Sequence, residues 1–160
     1  MKTQGLLILI YLLICITSCK KDTTINLNNG ITFSRIDNKL ETIVNYVEII
    51  GYDSTQYVFR VNESAWKRLE NEILPGYPDP HFGFGVVLNN DLIYRVAYIQ
   101  PYYSMIYDEV ITFSLKQPDM ICMELGYPAS PNHFRGEDLR NNLKLINLLK
   151  KDNKLIEIKK

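Results

Sequence analysis

The side chains able to do chemistry are few and scattered. His81 and His133 are the two histidines of the 160-residue chain, each beside prolines, in Asp79-Pro80-His81 and Pro131-Asn132-His133. They could share a metal only if those two loops met. Zinc sites draw on His and Cys clustered at short fixed intervals, and no HExxH or CxxC pattern occurs. Two solvated loop histidines are the simpler account, and no metal is expected. Nucleophilic catalysis needs a serine or cysteine beside a base. There is no Gly-x-Ser-x-Gly elbow, and Cys122 sits in the apolar run Met120-Ile121-Cys122-Met123, where a thiol packs as a small hydrophobe. Two carboxylate pairs, Asp108-Glu109 and Glu137-Asp138, contain the residue types that glycoside hydrolysis uses as acid and base. Adjacent side chains on a strand point to opposite faces, however, and Glu137-Asp138 suits the first turn of a helix, whose dipole favours negative charge. Gly83-Phe84-Gly85 is too short to cradle a phosphate and lacks a preceding strand, so a strand start or a close backbone approach explains it. No catalytic residue and no cofactor is expected.

Tyrosine stands out, with eleven in the chain. Tyr102, Tyr103 and Tyr107 lie in one run after Pro101, Tyr77 and Phe82 flank the prolines at 78 and 80, and Tyr127 and Phe134 flank those at 128 and 131. A tyrosine offers a large contact area at low entropy cost. If the three loops converge, these seven rings make a binding surface for a protein or a glycan. The alternative is that they pack over the edges of the sheet.

The elements that must position these residues can be read from local signals. Residues 46–50 and 56–61 form two strands about a turn at Gly51-Tyr52-Asp53-Ser54-Thr55, and Tyr57, Phe59 and Val61 alternate as on a half-buried strand. Asn62 then caps a helix, with Glu63 at its positive end, Val61 and Trp66 at the positions of a hydrophobic staple, and Trp66, Leu69 and Ile73 on one face. Pro75-Gly76 ends it. Residues 84–88 and 92–99 make a hairpin about Asn89-Asn90-Asp91, and further strands are expected at 109–115 and 119–125. A second helix is expected from about Glu137 to Lys151, with Leu139, Leu143, Ile146 and Leu149 on its buried stripe, and residues 155–158 as a charged edge strand. The expectation is one α+β domain over residues 31–160, a small mixed or antiparallel sheet with two helices in the order β-β-α-β-β-β-β-α-β. The central strand, helix and hairpin resemble the β-α-β-β unit of the periplasmic head of the SecD translocase subunit. The wider layout, with its Tyr52-Asp53-Ser54-Thr55 turn, resembles small bacterial lipoproteins without assigned activity. The likeness implies a fold fragment and no activity.

The beginning of the chain carries the most specific motif. Lys2 precedes an uncharged apolar run over residues 6–16, about half the 20 or so residues that a membrane-spanning helix needs, which is the pattern of a signal peptide. Directly after it, Ile16-Thr17-Ser18-Cys19 resembles the lipobox of bacterial lipoproteins. That resemblance implies cleavage of residues 1–18, lipidation of Cys19, and a membrane as partner through the lipid. An ordinary secretory signal with an incidental Cys19 is the alternative. Cysteine use agrees with the lipobox, because Cys15 would be discarded and Cys19 consumed, leaving Cys122 alone. Residues 19–30 are polar and read as a tether, about ten residues of which span roughly 17 Å as a flexible chain. The expected location is the cell envelope, at the outer membrane, in either leaflet. Loss of Lys2 leaves 17 basic against 18 acidic side chains, a balance that excludes the basic footprint of a nucleic-acid binder. The leading expectation is therefore a non-enzymatic, lipid-anchored module binding an envelope protein or glycan, as a component of an outer-membrane assembly. A small envelope enzyme acting on glycan or peptide, with Asp108, Glu109 or His133 as acid or base, is the second reading, and an inhibitor or immunity-type lipoprotein the third.

Overall fold

A computed structural model of the chain describes residues 30–36, 40–73, 81–99, 104 and 106–156, with the backbone alone at His81 and Phe82. Eight strands form one sheet: β1 (Ile31–Arg35), β2 (Glu41–Val44), β3 (Ile49–Asp53), β4 (Val58–Val61), β5 (His81–Leu88), β6 (Asp91–Tyr98), β7 (Tyr107–Gln117) and β8 (Met120–Tyr127). Helix α1 (Glu63–Ile73) follows β4, and α2 (Leu143–Lys151) follows β8. The strand order is β2-β1-β5-β6-β7-β8-β4-β3. Every neighbouring pair is antiparallel except β6 and β7, so the sheet is mixed and the architecture is α+β.

Strands β2 and β3 stand at opposite edges of that order, yet only residues 45–48 join them. Five Cα steps reach at most about 18 Å, so the sheet must curl until its edges approach. Ring contacts across the curl agree. Phe33 of β1 meets Phe59 of β4 edge to face, with centroids 5.1 Å apart, although four strands separate β1 from β4 in the sheet. Phe84 meets Phe113 in the same way at 5.5 Å. The cluster that contains these rings also takes in Ala65, Trp66, Leu69 and Ile73 of α1 and Leu145 and Leu149 of α2. Each large side chain buried there contributes about 1.5–3 kcal/mol. Among the described residues no helix is long and apolar enough to cross a membrane.

The local signals for α1 are met. Asn62 Oδ1 accepts the Ala65 amide at 2.9 Å, and Val61 and Trp66 are both buried beside that cap. The Asn89-Asn90 turn is also as read, with both residues at positive φ, 50° and 73°. Within β5, Gly85 leaves room for Leu92, whose Cδ1 would lie 2.5 Å from an added Cβ. The strand, helix and hairpin order is present as β4, α1, β5 and β6, but β4 is seated between β8 and β3, away from the hairpin.

Several boundaries differ from the sequence reading. Strands β1 and β2 occupy residues to which no element was assigned. Residues 46–48 are a 3-10 turn and not the start of a strand, because the Glu48 carboxylate turns back to accept the Asn45 amide at 2.9 Å. Strand β3 runs through Asp53 and the turn comes after it: Asp53 Oδ1 accepts the amides of Thr55 at 2.8 Å and Gln56 at 2.9 Å, and Tyr57 takes φ 57°. Helix α2 begins at Leu143, capped by Asn142, whose side chain accepts the Lys144 amide at 3.0 Å. Residues 137–142 are held off the helix, since Asp138 grips the Arg140 guanidinium through two 2.8 Å bonds and Tyr52 donates its hydroxyl to the Arg140 carbonyl at 2.9 Å. The later start rotates the buried stripe to Leu145 and Leu149, leaving Leu143 76% exposed. The expected last strand is represented by one parallel bridge from Leu155 to Tyr52; residues 157–160 lie outside the described residues.

Candidate binding cleft

The β7–β8 hairpin is irregular at its open end. Tyr107 pairs with Tyr127, and the next paired residues are Ile111 and Leu125, so Asp108, Glu109 and Val110 stand opposite Gly126 alone. Extra residues on one strand bend it and re-aim its side chains. Gly126 makes this possible: its φ is +73°, and a Cβ there would overlap the Tyr107 carbonyl oxygen. Its own carbonyl accepts the buried Thr112 hydroxyl at 2.9 Å.

Residues 128–136 then fold back onto the bulge. The Tyr127-Pro128 bond is cis, the Ser130 amide donates to the Leu125 carbonyl at 3.2 Å, and the His133 amide donates to the Ser130 carbonyl at 3.0 Å. Arg135 closes the loop twice. Its amide donates to the Asp108 carbonyl at 2.6 Å, and its Nε lies 3.0 Å from Asp108 Oδ2. Next to it, a Cβ on Gly136 would come within 2.5 Å of the Glu109 carbonyl oxygen and 2.7 Å of Phe134 Cζ. The absence of a side chain at Gly136 therefore lets the Phe134 ring lie against the bulge.

Between strand ends and loop opens a cleft of about 530 Å³, within the usual range of a small-ligand site. Ile106, Tyr107, Asp108, Leu125 and Gly126 form the strand wall; Pro128, Ser130, Asn132, His133, Phe134 and Arg135 form the loop wall. Asn132 and His133 are exposed, and Tyr107 and Phe134 are half-buried. The one acid and one guanidinium of the lining are paired with each other.

Of the seven aromatic residues read as a surface, Tyr107 and Phe134 meet in this cleft. Tyr127 lines a separate depression of about 210 Å³ with Thr112, Ser114 and Lys116, because the bulge opposite Gly126 breaks the alternation that would put it on the face of Leu125. Tyr77, Tyr102, Tyr103 and Cys19 lie outside the described residues, as does the Phe82 side chain. Asp108 and His133 share the cleft, whereas Glu109 belongs to a shallower depression beside it. Arg135, Asn132 and Ser130 were missed in the sequence; the signal for them was the Gly126 and Gly136 pair bracketing a Pro-containing loop. Cys122 is buried, and burial pushes its thiol above the ordinary range, which leaves less of the reactive thiolate.

A second polar cluster is structural. The Arg140 guanidinium lies 3.5 Å from the centroid of the Tyr57 ring, donates to the Met123 carbonyl at 3.3 Å, and is buried with Asp138 as its counter-ion. It ties residues 137–142 to the β3–β4 turn and to β8. The buried Tyr94 hydroxyl, which electrostatically feels Arg140 and Tyr52, has no hydrogen-bond partner among the described residues.

Comparison of the chain with protein-family profiles, with curated proteins and with solved structures finds no match.

Proposed function

We propose that this chain is a lipid-anchored, non-enzymatic protein of the cell envelope, held through Cys19, whose α+β domain binds an envelope protein or glycan in the cleft at the end of the β7–β8 hairpin. The lipobox-like Ile16-Thr17-Ser18-Cys19 supports the anchor and an outer-membrane location. The observation that carries the binding role is the convergence of Tyr107 and Phe134, from two loops read separately in the sequence, with polar Ser130, Asn132 and His133 around them. An amphipathic ring beside adaptable hydrogen-bonding groups is the composition that recognition surfaces favour. The hydrolytic reading draws on Asp108 and His133 in the same cleft, but the Asp108 carboxylate is already engaged by Arg135.

Affinity isolation of the full-length lipidated protein from detergent-solubilised envelope tests the role. An Asn132→Ala, His133→Ala variant changes two exposed loop residues and should leave the core intact, as circular dichroism would verify. A partner recovered by the native protein and lost with the variant supports the cleft. Equal recovery by both moves the binding surface elsewhere.

A further inference from the structure

We infer that the ligand of the β7–β8 cleft is an uncharged oligosaccharide; this rests on the binding role proposed above and narrows it to one chemical class. Charge comes first. Asp108 and Arg135 are the acid and the guanidinium in the cleft lining, and they neutralise each other. A charged ligand would find no unpaired opposite charge in this lining unless it separated the pair, which is solvent-exposed on its Arg135 side. Hydroxyl groups need no such separation, since a hydroxyl both donates and accepts, and a paired carboxylate and guanidinium present acceptor and donor side by side.

Backbone availability comes second and separates a glycan from a peptide. An extended peptide binds by adding a strand, through carbonyl and amide groups left open at a sheet edge. Here three of the carbonyl groups at the cleft are already committed: Asp108 to the Arg135 amide, Leu125 to the Ser130 amide, and Gly126 to the Thr112 hydroxyl. Side chains then carry much of the recognition. Those on hand are the rings of Phe134 and Tyr107, against which the apolar C–H face of a sugar ring can lie, and the rim of Asn132 and His133, within reach of its hydroxyl groups. At about 530 Å³ the space takes a few sugar rings at most, not a long segment of polymer.

The test is an array carrying neutral hexose and N-acetylhexosamine di- to tetrasaccharides, sialylated trisaccharides and uncharged nonapeptides, probed with the full-length protein in detergent. Neutral oligosaccharides should be retained above both other classes. Affinity for the best of them should fall roughly tenfold in Phe134→Ala, the scale of one lost aromatic contact. It should also fall in Asn132→Ala, which stays informative if the phenylalanine variant fails to fold. Retention of peptides or sialylated glycans in preference to neutral ones overturns the inference, as does a blank array or binding unchanged by both substitutions. A blank array alongside a cleft-dependent partner in the envelope isolation removes the glycan and keeps the cleft. An envelope partner indifferent to the cleft variant moves the binding surface away from the cleft and overturns the inference with it.

Discussion

Asp138 and Arg140 show how single residues hold the segment that leads into α2. The Arg140 hydrogen bonds keep the Asp138 carboxyl below its ordinary value of 3.8, against a smaller opposing effect of burial. A carboxylate depressed by folding stabilises the native state above its unfolded pKa, and that contribution disappears as pH falls through the folded value. Glu48 acts in the same sense: burial pushes it up, but Arg68 and the Asn45 amide outweigh this and lower it. Asp138→Asn should therefore cost about 1 kcal/mol at neutral pH, since the carboxylate is 40% exposed and solvent screens part of its pairing with Arg140. The gap to the native protein should narrow as pH falls below the ordinary carboxylate value of 3.8 and through the depressed folded value. Denaturant unfolding across that range checks this, and a gap independent of pH would refute it. None of this was visible in Glu137-Asp138, read as a helix start. Residues two apart do not face each other on a helix, so the bidentate Asp138–Arg140 pair itself requires the non-helical backbone. The Arg140 side chain of that pair is held in turn by Tyr57, in the turn before β4, and by the Met123 carbonyl of β8. The cleft was half legible for the same reason: Tyr107 and Phe134 announced themselves by type, while Arg135 gained meaning only when the bulge brought Asp108 to it.

Elements bounded by local chemistry were legible, and those defined by distant partners were not. The α1 cap is the clearest case, because Asn62 satisfies the Ala65 amide without help from the rest of the fold. Asn62→Ala should lower stability by about 1 kcal/mol, with Asn62→Asp close to native, as thermal melts would show. An unchanged midpoint in the alanine variant would mean that tertiary packing alone fixes the helix start. The Asn89-Asn90 turn belongs to the same class. Strand β1 carried an alternating signal in Ile31-Thr32-Phe33-Ser34, yet it abuts a polar stretch ending at Gly30 and is completed by β5, fifty residues on. Strand β2 has four residues, too few for periodicity to register. Helix α2 kept its stripe spacing but began later than its charge pattern implied, which moved Leu143 to solvent and Leu145 inward.

At the scale of the whole molecule, the short link between β2 and β3 curls the sheet, both helices join its core, and the cleft opens at one end of the β7–β8 hairpin. Two edge strands would invite pairing with other chains, and here both are engaged. Arg68 Nε donates to the Ile43 carbonyl of β2 at 3.1 Å, while the Tyr52 amide of β3 donates to the Lys154 carbonyl at 2.8 Å. Lys154 also reaches back with its ammonium to the Tyr46 and Ile49 carbonyls, both at 2.6 Å, fastening the end of the described chain to the 3-10 turn. A domain with its edges engaged can be displayed at a membrane without self-association through them, which suits the proposed tether. Everything in that proposal depends on the thiol of Cys19 carrying lipid. Metabolic labelling with an alkyne fatty acid, followed by separation of membrane and soluble fractions, tests it on the native chain and on Cys19→Ser. The account predicts a labelled native protein in the membrane fraction, with label and membrane association both lost in the variant. A native protein that is unlabelled and soluble, or a Cys19→Ser variant that still carries the label, would contradict it.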